Sequence, residues 1–128
     1  IYGTKKLNED ITVPRSALPE LLARIAEISK KYGVTTPCFG HTGDGNVHTN
    51  VMVNGADENE VKRGYEAITE IFKVAVELGG TLSGEHGIGI SKAPFMNLAF
   101  SEAEMNLFRA IKRAFDPNNI LNPNKMGL

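Results

Sequence analysis

The dipeptide Asp44-Gly45 stands between two runs of extended character, residues 35–42 and 46–53. Asp-Gly flanked by such runs is the strongest short signal for a β-hairpin, because both central residues of the tight turn take positive φ. A hairpin constrains this chain more than any other feature, since its register decides which side chains share a face of the sheet. The predicted pairs are Gly43 with Asn46, Thr42 with Val47, and His41 with His48.

The facing histidines, His41 and His48, are two of the three in the chain. Directly opposed residues on antiparallel strands have Cβ atoms roughly 4.5–5.5 Å apart, a separation at which two imidazoles can bind one metal ion. The third histidine, His86, lies in a glycine-rich segment next to Glu85. The sequence therefore favours a metal site. The alternative is a pair of partly exposed histidines beside a turn.

The composition excludes several functional classes. With 128 residues, 41% hydrophobic and 23% charged, the chain has the make-up of one soluble globular domain. A net charge of -1 gives no electrostatic reason to bind nucleic acid or an acidic membrane. The single cysteine, Cys38, excludes an internal disulfide and suits a reducing compartment. We expect a cytoplasmic protein, peripheral to a membrane only through partners. Because the chain opens on Ile1, we also expect a fragment of a longer protein.

Helical and strand periodicities alternate along the chain. The predicted elements are a strand at 10–14, a helix from Ser16 to about Tyr32, the two hairpin strands, a helix at about 57–78 and a strand at 81–83. Ser16 and Asp57 are the expected N-caps, and Gly33 is the expected stop of the first helix. The predicted buried stripe of the second helix is Val61, Tyr65, Ile68, Phe72 and Ala75. This β-α-β-β-α-β order predicts an α+β, ferredoxin-like fold, an antiparallel sheet with both helices on one face.

The face of the sheet without helices is expected to be open. Strict alternation turns Val47, Val51 and Val53 toward the helices and the intervening side chains toward the open face. The side chains expected on the open face are His41, His48, Asn50 and Met52. In the simplest topology the fourth strand leaves the sheet at the end opposite the hairpin. Glu85 therefore reaches the histidines only if the chain bends at Gly84.

A capping box at residues 101–104 opens a further helix, which we expect to end at Asp116-Pro117. Its predicted apolar face is Met105, Phe108, Ile111 and Phe115. The tail that follows is rich in turn residues, and one interpretation is a loop tied down by Ile120 and Leu121.

Three segments together resemble the signatures of one protein family. They are Gly40-His41-Thr42-Gly43-Asp44-Gly45-Asn46-Val47-His48, Ser83-Gly84-Glu85-His86-Gly87-Ile88-Gly89 and Asp116-Pro117-Asn118-Asn119-Ile120-Leu121-Asn122-Pro123. In order and spacing they resemble the C-terminal domain of FAD-linked 2-hydroxy acid dehydrogenases and oxidases. That family includes the glycolate oxidase flavoprotein subunit, cytochrome-linked D-lactate dehydrogenase and D-2-hydroxyglutarate dehydrogenase. The resemblance covers essentially the whole chain, since residues 11–15 and the amphipathic helix after them resemble the segment that opens the domain's core.

The resemblance implies a cap domain over FAD, with the FAD-binding domain N-terminal to this chain as its partner. In the family two hairpin histidines and a later glutamate bind a divalent metal, usually zinc, which maps to His41, His48 and Glu85. The next histidine, His86, is assigned as the catalytic base, and Asn50 as a contact to the substrate. The implied reaction oxidises a small 2-hydroxy acid to the 2-oxo acid. The metal lowers the pKa of the substrate hydroxyl, the imidazole takes its proton, and a hydride leaves the α-carbon for the flavin.

The residues that bind the substrate carboxylate and the cofactor, and the further partners, stay open. Arg15 and Lys92 are candidates to bind the substrate carboxylate and Lys6 is a weaker one, while the alternative for each is a solvated surface charge. Asn122 in the third segment is the candidate for contact with the cofactor. An electron-acceptor protein or quinone and a second copy of the chain are the other partners considered. Without its flavin domain the chain is expected to be inactive.

A function of another class fits the same predicted fold. Ferredoxin-like domains with an open sheet face also serve as ligand-sensing, metal-sensing or assembly modules without catalysis, in which case the domain would dimerise through its sheet. His86 discriminates between the two functions, because oxidation of an α-hydroxyl requires a base beside the metal ligands and a sensor does not.

Overall fold

The computed structural model describes residues 3–41 and 43–128. The chain divides into two compact units, Ile1–His86 and Gly87–Leu128. In the first unit the elements are β1 (Lys5–Thr12), α1 (Leu18–Tyr32), β2 (Cys38–His41), β3 (Asn46–Val53) and α2 (Glu58–Glu77). In the second they are α3 (Met96–Ala99) and α4 (Glu102–Phe115). The architecture is α+β, and none of the helices in these described ranges is long and apolar enough to cross a membrane.

The sheet of the first unit has the strand order β1-β3-β2, and both neighbouring pairs are antiparallel. Val51 and Val53 of the central strand are fully buried. With Leu7 of β1, they supply the side chains closest to Gly64 of α2, so α2 packs on their face of the sheet. The prediction that the valines of β3 face the helices is confirmed.

The hairpin forms at the predicted place but with another register. Phe39 pairs with His48 and His41 with Asn46, so the connection between the paired strand ends is longer than a two-residue turn. Because the register moves by two residues, His41 still shares the face of His48. The predicted pairs that this register replaces are Gly43 with Asn46 and His41 with His48, while the prediction for Thr42 with Val47 lies outside the described residues.

The altered register follows from contacts that Gly45 makes beyond the hairpin. Gly45 has a φ of 82°, and a Cβ atom there would lie 2.0 Å from the carbonyl oxygen of Val13. The Val13 N–H in turn donates to the Gly45 carbonyl at 3.1 Å. Asp44 is not among the described residues with positive φ, and its side chain accepts from the Asn46 N–H at 3.1 Å. A type I′ turn needs positive φ at both central residues, so Asp44-Gly45 does not form one.

The predicted fourth strand is reduced to one residue. Thr81 makes an isolated antiparallel bridge with Thr12 at the end of β1, and its N–H donates to the Thr12 carbonyl at 2.8 Å. Further along, the amides of residues 84–86 bond to the side chain of Asp10. The chain therefore turns over the sheet after Thr81, and a complete ferredoxin-like sheet does not form among the described residues.

The first helix begins later than predicted and ends as predicted. Residues Arg15–Ala17 form a 3-10 turn, and α1 starts at Leu18 without a side-chain cap. Ser16 is therefore not the N-cap, because it lies inside that turn. Gly33 closes the helix in the left-handed conformation with a φ of 62°, as expected of a glycine that follows a last helical turn.

The second helix confirms its predicted cap and part of its predicted stripe. Ile68, Phe72 and Ala75 are buried, but Tyr65 is 48% exposed. The reason is the neighbouring Gly64, which has no side chain and brings α2 directly against the strands. That close approach turns Tyr65 toward solvent.

We expect Asp57→Ala to lower the free energy of unfolding by about 1 kcal/mol. The Asp57 carboxylate accepts from the N–H groups of Asn59 at 2.9 Å and Glu60 at 3.2 Å, and alanine leaves both donors without this acceptor. Urea unfolding measures the change. Asn59→Ala, which alters an exposed side chain in the same turn, is the control and should change stability by less than about 0.5 kcal/mol. Equal losses in the two variants would contradict a capping role.

In the second unit the capping box is confirmed, and the apolar face of α4 is covered only toward the start of the helix. Ser101 Oγ accepts from the Glu104 N–H, and Glu104 Oε2 accepts from the Ser101 N–H at 2.7 Å. Met105 is buried, whereas Ile111 and Phe115 are exposed. Phe108 of the predicted apolar face is half-buried, and its ring stands edge-on to that of Phe100 with centroids 5.1 Å apart, so this face is covered over the first two turns of α4 only.

Candidate functional site

Three side chains form a row across the sheet. Asp10 of β1 pairs with His48 of β3, which pairs with Phe39 of β2, and paired residues point to the same face. Asp10 is 0% and His48 7% exposed. Phe39 is exposed, and its ring stacks on that of His48 with centroids 5.1 Å apart. The row therefore places a buried carboxylate beside a buried imidazole at the centre of the sheet.

The segment of residues 83–86 lies over this row and is held by Asp10. The N–H groups of Gly84, Glu85 and His86 donate to Asp10 Oδ2 at 2.7, 2.6 and 3.0 Å. A Cβ atom on Gly84 would lie 2.4 Å from Thr12 Oγ1 and 2.8 Å from the side-chain amide of Asn46. Glycine is thus required where the segment touches the sheet, and the part of the face predicted to be open is covered here.

The bend at Gly84 brings Glu85 to the histidines, as the topology requires for a shared site. Glu85 Oε1 lies 3.0 Å from His48 Nε2 and 3.9 Å from His86 Nε2. The rings of His48 and His86 have centroids 5.2 Å apart. One ligand atom from each of these three residues lies within 4.8 Å of the others. Two imidazoles and a carboxylate are a donor set that suits zinc and leaves coordination positions open.

His41 borders this cluster without joining it. Its ring stands edge-on to that of His48 with centroids 5.8 Å apart, and the residue is exposed. The observed register explains the distance, because His41 pairs with Asn46 and is a diagonal neighbour of His48. The group of three formed by the described residues contains His86 in the place predicted for His41.

Two asparagines on the same face carry side-chain oxygens without a hydrogen-bond partner. Asn50 and Asn46 are 7% and 5% exposed, and the Oδ1 atom of each is buried and unpaired among the described residues. A buried acceptor without a donor costs free energy, typically about 1–3 kcal/mol. Asn50 lies two residues from His48 on β3, so a hydroxyl or N–H of a ligand bound there would satisfy it.

Comparison with known proteins identifies the family. Residues 1–126 match the family described as FAD linked oxidases, C-terminal domain. The chain belongs to that family. It is 44% identical to the glycolate oxidase subunit GlcD of Bacillus subtilis (strain 168) over 92% of its own length and 25% of that protein.

Two further relatives have similar coverage. The glycolate oxidase subunit GlcD of Escherichia coli (strain K12) is 41% identical over 91% of this chain and 23% of that protein. The D-lactate dehydrogenase of Archaeoglobus fulgidus is 41% identical over 91% of this chain and 26% of that protein. This FAD-linked oxidase C-terminal domain therefore spans about a quarter of the length of the relatives it matches.

The remaining candidate residues of the domain lie in different surroundings. Arg15 is exposed in the turn before α1, and Lys6 is exposed on β1 opposite Met52. In the second unit, Lys92 is 4% exposed, so the alternative of a solvated surface charge is wrong for this residue. Asn122 is exposed and has a φ of 47°.

The third signature segment is a turn built on Asp116. Its carboxylate accepts from the N–H groups of Ile120 at 2.9 Å and Leu121 at 2.8 Å, and from the ammonium group of Lys112. The hydrogen bond from Lys112 holds the pKa of Asp116 below its ordinary value, with the two backbone bonds acting in the same direction. Ile120 and Leu121 are exposed, so the interpretation that they tie down the tail is wrong. The buried Asp116 side chain ties it down.

We expect Asp116→Ala to speed hydrogen exchange at the amides of Ile120 and Leu121, since both lose their acceptor. The folded-state pKa of Asp116 is depressed, so its contribution is complete above the ordinary aspartate pKa near 3.9 and is lost as pH falls below it. NMR exchange and an acid titration of the two amide shifts measure these effects. Lys112→Met is the matched variant, which should keep both amide bonds and move the titration to higher pH. Unchanged exchange in Asp116→Ala would contradict this anchoring.

Reasoning from the sequence did not single out Asp10. Strict alternation treats it as one polar position in a strand, and nothing nearby in the chain pairs with it. One signal was present, because aspartate is depleted in strands and this one directly precedes the buried Ile11.

Proposed function

We propose that this chain is the substrate- and metal-binding portion of a flavin-dependent oxidoreductase that converts a 2-hydroxy acid of the glycolate or D-lactate type to the 2-oxo acid. The observation that carries the proposal is the cluster of His48, Glu85 and His86 at the centre of the sheet. Membership of the FAD linked oxidases favours this function over a metal-sensing or assembly module.

We assign His41, His48 and Glu85 as ligands of a divalent metal, with zinc as the first choice. The donor atoms fit, since imidazole nitrogens and a carboxylate oxygen are zinc ligands. His48 and Glu85 are in contact at 3.0 Å, and His41 is on the same face with its side chain accessible. When bound, such an ion would lower the pKa of a substrate hydroxyl and orient the acid.

His86 is the proposed base. Its side chain is 45% exposed, and Nδ1 lies 3.5 Å from Asp10 Oδ1, so Nε2 is the ring nitrogen directed away from Asp10. A neutral imidazole in this position takes a hydroxyl proton at Nε2. FAD supplies the acceptor for the hydride when the flavin-binding portion is present.

Recognition of the acid is proposed to involve Asn50, Arg15 and Lys92. Asn50 is buried on the site face with an unpaired Oδ1, and its amide N–H groups can donate to an oxygen of the acid. Arg15 and Lys92 are the basic side chains proposed for the carboxylate, and their separate replacement tests each one. Asn122 is proposed to contact the cofactor.

The length comparison supports a flavin-binding domain as the main partner. The relatives are about four times as long as this chain, and we propose that the additional length includes the FAD-binding domain. An electron-acceptor protein or quinone would reoxidise the flavin. A homodimer is a further proposal, motivated by the exposed Phe39 on the site face.

The test uses the complete flavoprotein under anaerobic conditions. Mixing it with glycolate or D-lactate should bleach the flavin absorbance, whereas 3-hydroxypropionate, which lacks a 2-hydroxyl group, should not. Elemental analysis should find about one divalent metal per chain, and a chelator should abolish the bleaching. Flavin that is reduced by no 2-hydroxy acid in the metal-loaded protein would contradict the proposed function.

A further inference from the structure

Asp10 is a fully buried carboxylate with an unusual number of donors. Beyond the three backbone N–H groups that converge on Oδ2, the Ser83 hydroxyl lies 3.2 Å from each carboxylate oxygen. Successive backbone N–H groups form a concavity that binds anions, and here the anion belongs to the protein itself. This arrangement satisfies a group whose burial would otherwise be costly.

The bonds to Asp10 fix two neighbouring functional residues at once. The N–H groups of Glu85 and His86 are both held by the same oxygen, so the directions in which their side chains leave the backbone are set together. Asp10 pairs with His48 across the sheet. Asp10 therefore lies beside His48, the histidine that Glu85 contacts: Glu85 Oε1 is 3.0 Å from His48 Nε2.

Asp10 also faces the ring of the proposed base. Oδ1, the oxygen not used by the three amides, is 3.5 Å from His86 Nδ1, longer than the usual 2.7–3.2 Å of an N–H···O bond but close enough for the carboxylate to attract an N–H on that side of the ring. A carboxylate on that side favours the tautomer with its proton on Nδ1, which leaves the Nε2 lone pair to accept a proton.

We propose that Asp10 is a positioning residue of the site. It holds Glu85 against His48 through the backbone of residues 84–86, and it orients the His86 ring through Oδ1, without touching the substrate itself. This inference rests on the proposed function for its catalytic consequence. The placement of Glu85 and His86 by Asp10 rests on the contacts alone.

The experiment compares Asp10→Ala and Asp10→Asn in the complete flavoprotein. Alanine removes both functions of the carboxylate, so metal affinity and kcat should each fall by about 10–100-fold, the usual effect of losing a partner that orients a ligand. Asparagine keeps one oxygen for the three amides and turns an NH₂ group toward His86 Nδ1. It should retain more metal than alanine and lower kcat with little change in KM.

Asp57→Asn is the matched control. It makes the same chemical change in the same unit, at a carboxylate that also accepts two backbone N–H groups, and asparagine is an equally good N-cap. Its metal content, kcat and KM should equal those of the unaltered protein.

Two results would overturn the inference. One is wild-type kcat and metal affinity in both Asp10 variants. The other is a lower yield of folded protein whose folded fraction has wild-type kcat and metal affinity, which would make Asp10 a purely structural residue.

His48→Ala and His86→Gln in the same assays separate the positioning role of Asp10 from the proposed function. If they also keep wild-type turnover, the proposed function fails. If only the Asp10 variants keep it, the positioning role alone fails.

Discussion

Turnover of the complete flavoprotein should fall roughly 10²–10⁴-fold in His86→Gln, the usual effect of removing a positioned general base. Glutamine keeps a polar side chain of similar length but cannot take a proton from an alcohol. Flavin content should not change, because residue 86 lies in the cluster with His48 and Glu85 and FAD is proposed to bind mainly to the other domain. Steady-state kinetics, with turnover expressed per bound flavin, provides the measurement.

The metal content of His86→Gln decides between two roles. The structure groups His86 with His48 and Glu85, so His86 has the proximity of a ligand as well as that of a base. We expect metal content to stay near that of the unaltered protein, since His41, His48 and Glu85 are the assigned ligands. Loss of metal together with turnover would make His86 a ligand. Near-normal turnover would require another base.

Replacement of His48 should affect both metal binding and turnover, whereas His86→Gln should affect turnover alone. In His48→Ala we expect metal and turnover to be lost together, because His48 contacts Glu85 at 3.0 Å and lies beside the rings of Phe39 and His86. A bound metal typically contributes several kcal/mol of transition-state stabilisation, which corresponds to a loss of at least about 10³-fold. Elemental analysis and single-turnover reduction of the flavin measure the two losses.

His41→Ala is the comparison that makes this result specific. His41 is exposed at the border of the cluster, so its removal disturbs the packing of the sheet less than that of His48. If His41 is a ligand, its variant should also lose metal while the fold is unperturbed. Full metal content and turnover in His48→Ala would contradict the metal site as a whole.

The sequence predicted which side chains share a face of the sheet, but it did not predict the register of the hairpin. Alternation placed the valines of β3 and His48 on opposite faces, because that pattern depends only on the period of a strand. The hairpin register depended on Gly45 packing against the Val13 carbonyl, a contact between different parts of the chain. Local turn chemistry cannot show such a contact. The contact of Gly64 with side chains of the strands, beside the exposed Tyr65, is also a contact between different parts of the chain.

The histidines and the glutamate of the site were predictable, but Asp10 and the arrangement of the group were not. Motif spacing singled out His48, Glu85 and His86, which the fold brings together. The bend at Gly84 was recognised as a requirement. The spacing of the motifs did not indicate the reason for it, which is that three amides converge on Asp10. A buried carboxylate that binds backbone groups leaves no periodic signal, so it became visible only in three dimensions.

The bonds between Asp10 and the segment above it join positions 73 to 76 residues apart in the chain. The entropic cost of closing such a loop grows only with the logarithm of its length, yet the closure spans almost the whole first unit. A helical peptide or an isolated hairpin from this protein would contain some of the chemical groups but not their geometry. The shortest continuous stretch that includes Asp10, its cross-strand partner His48 and the segment of residues 84–86 runs from Asp10 to His86. Any cut inside that stretch separates the parts of the site.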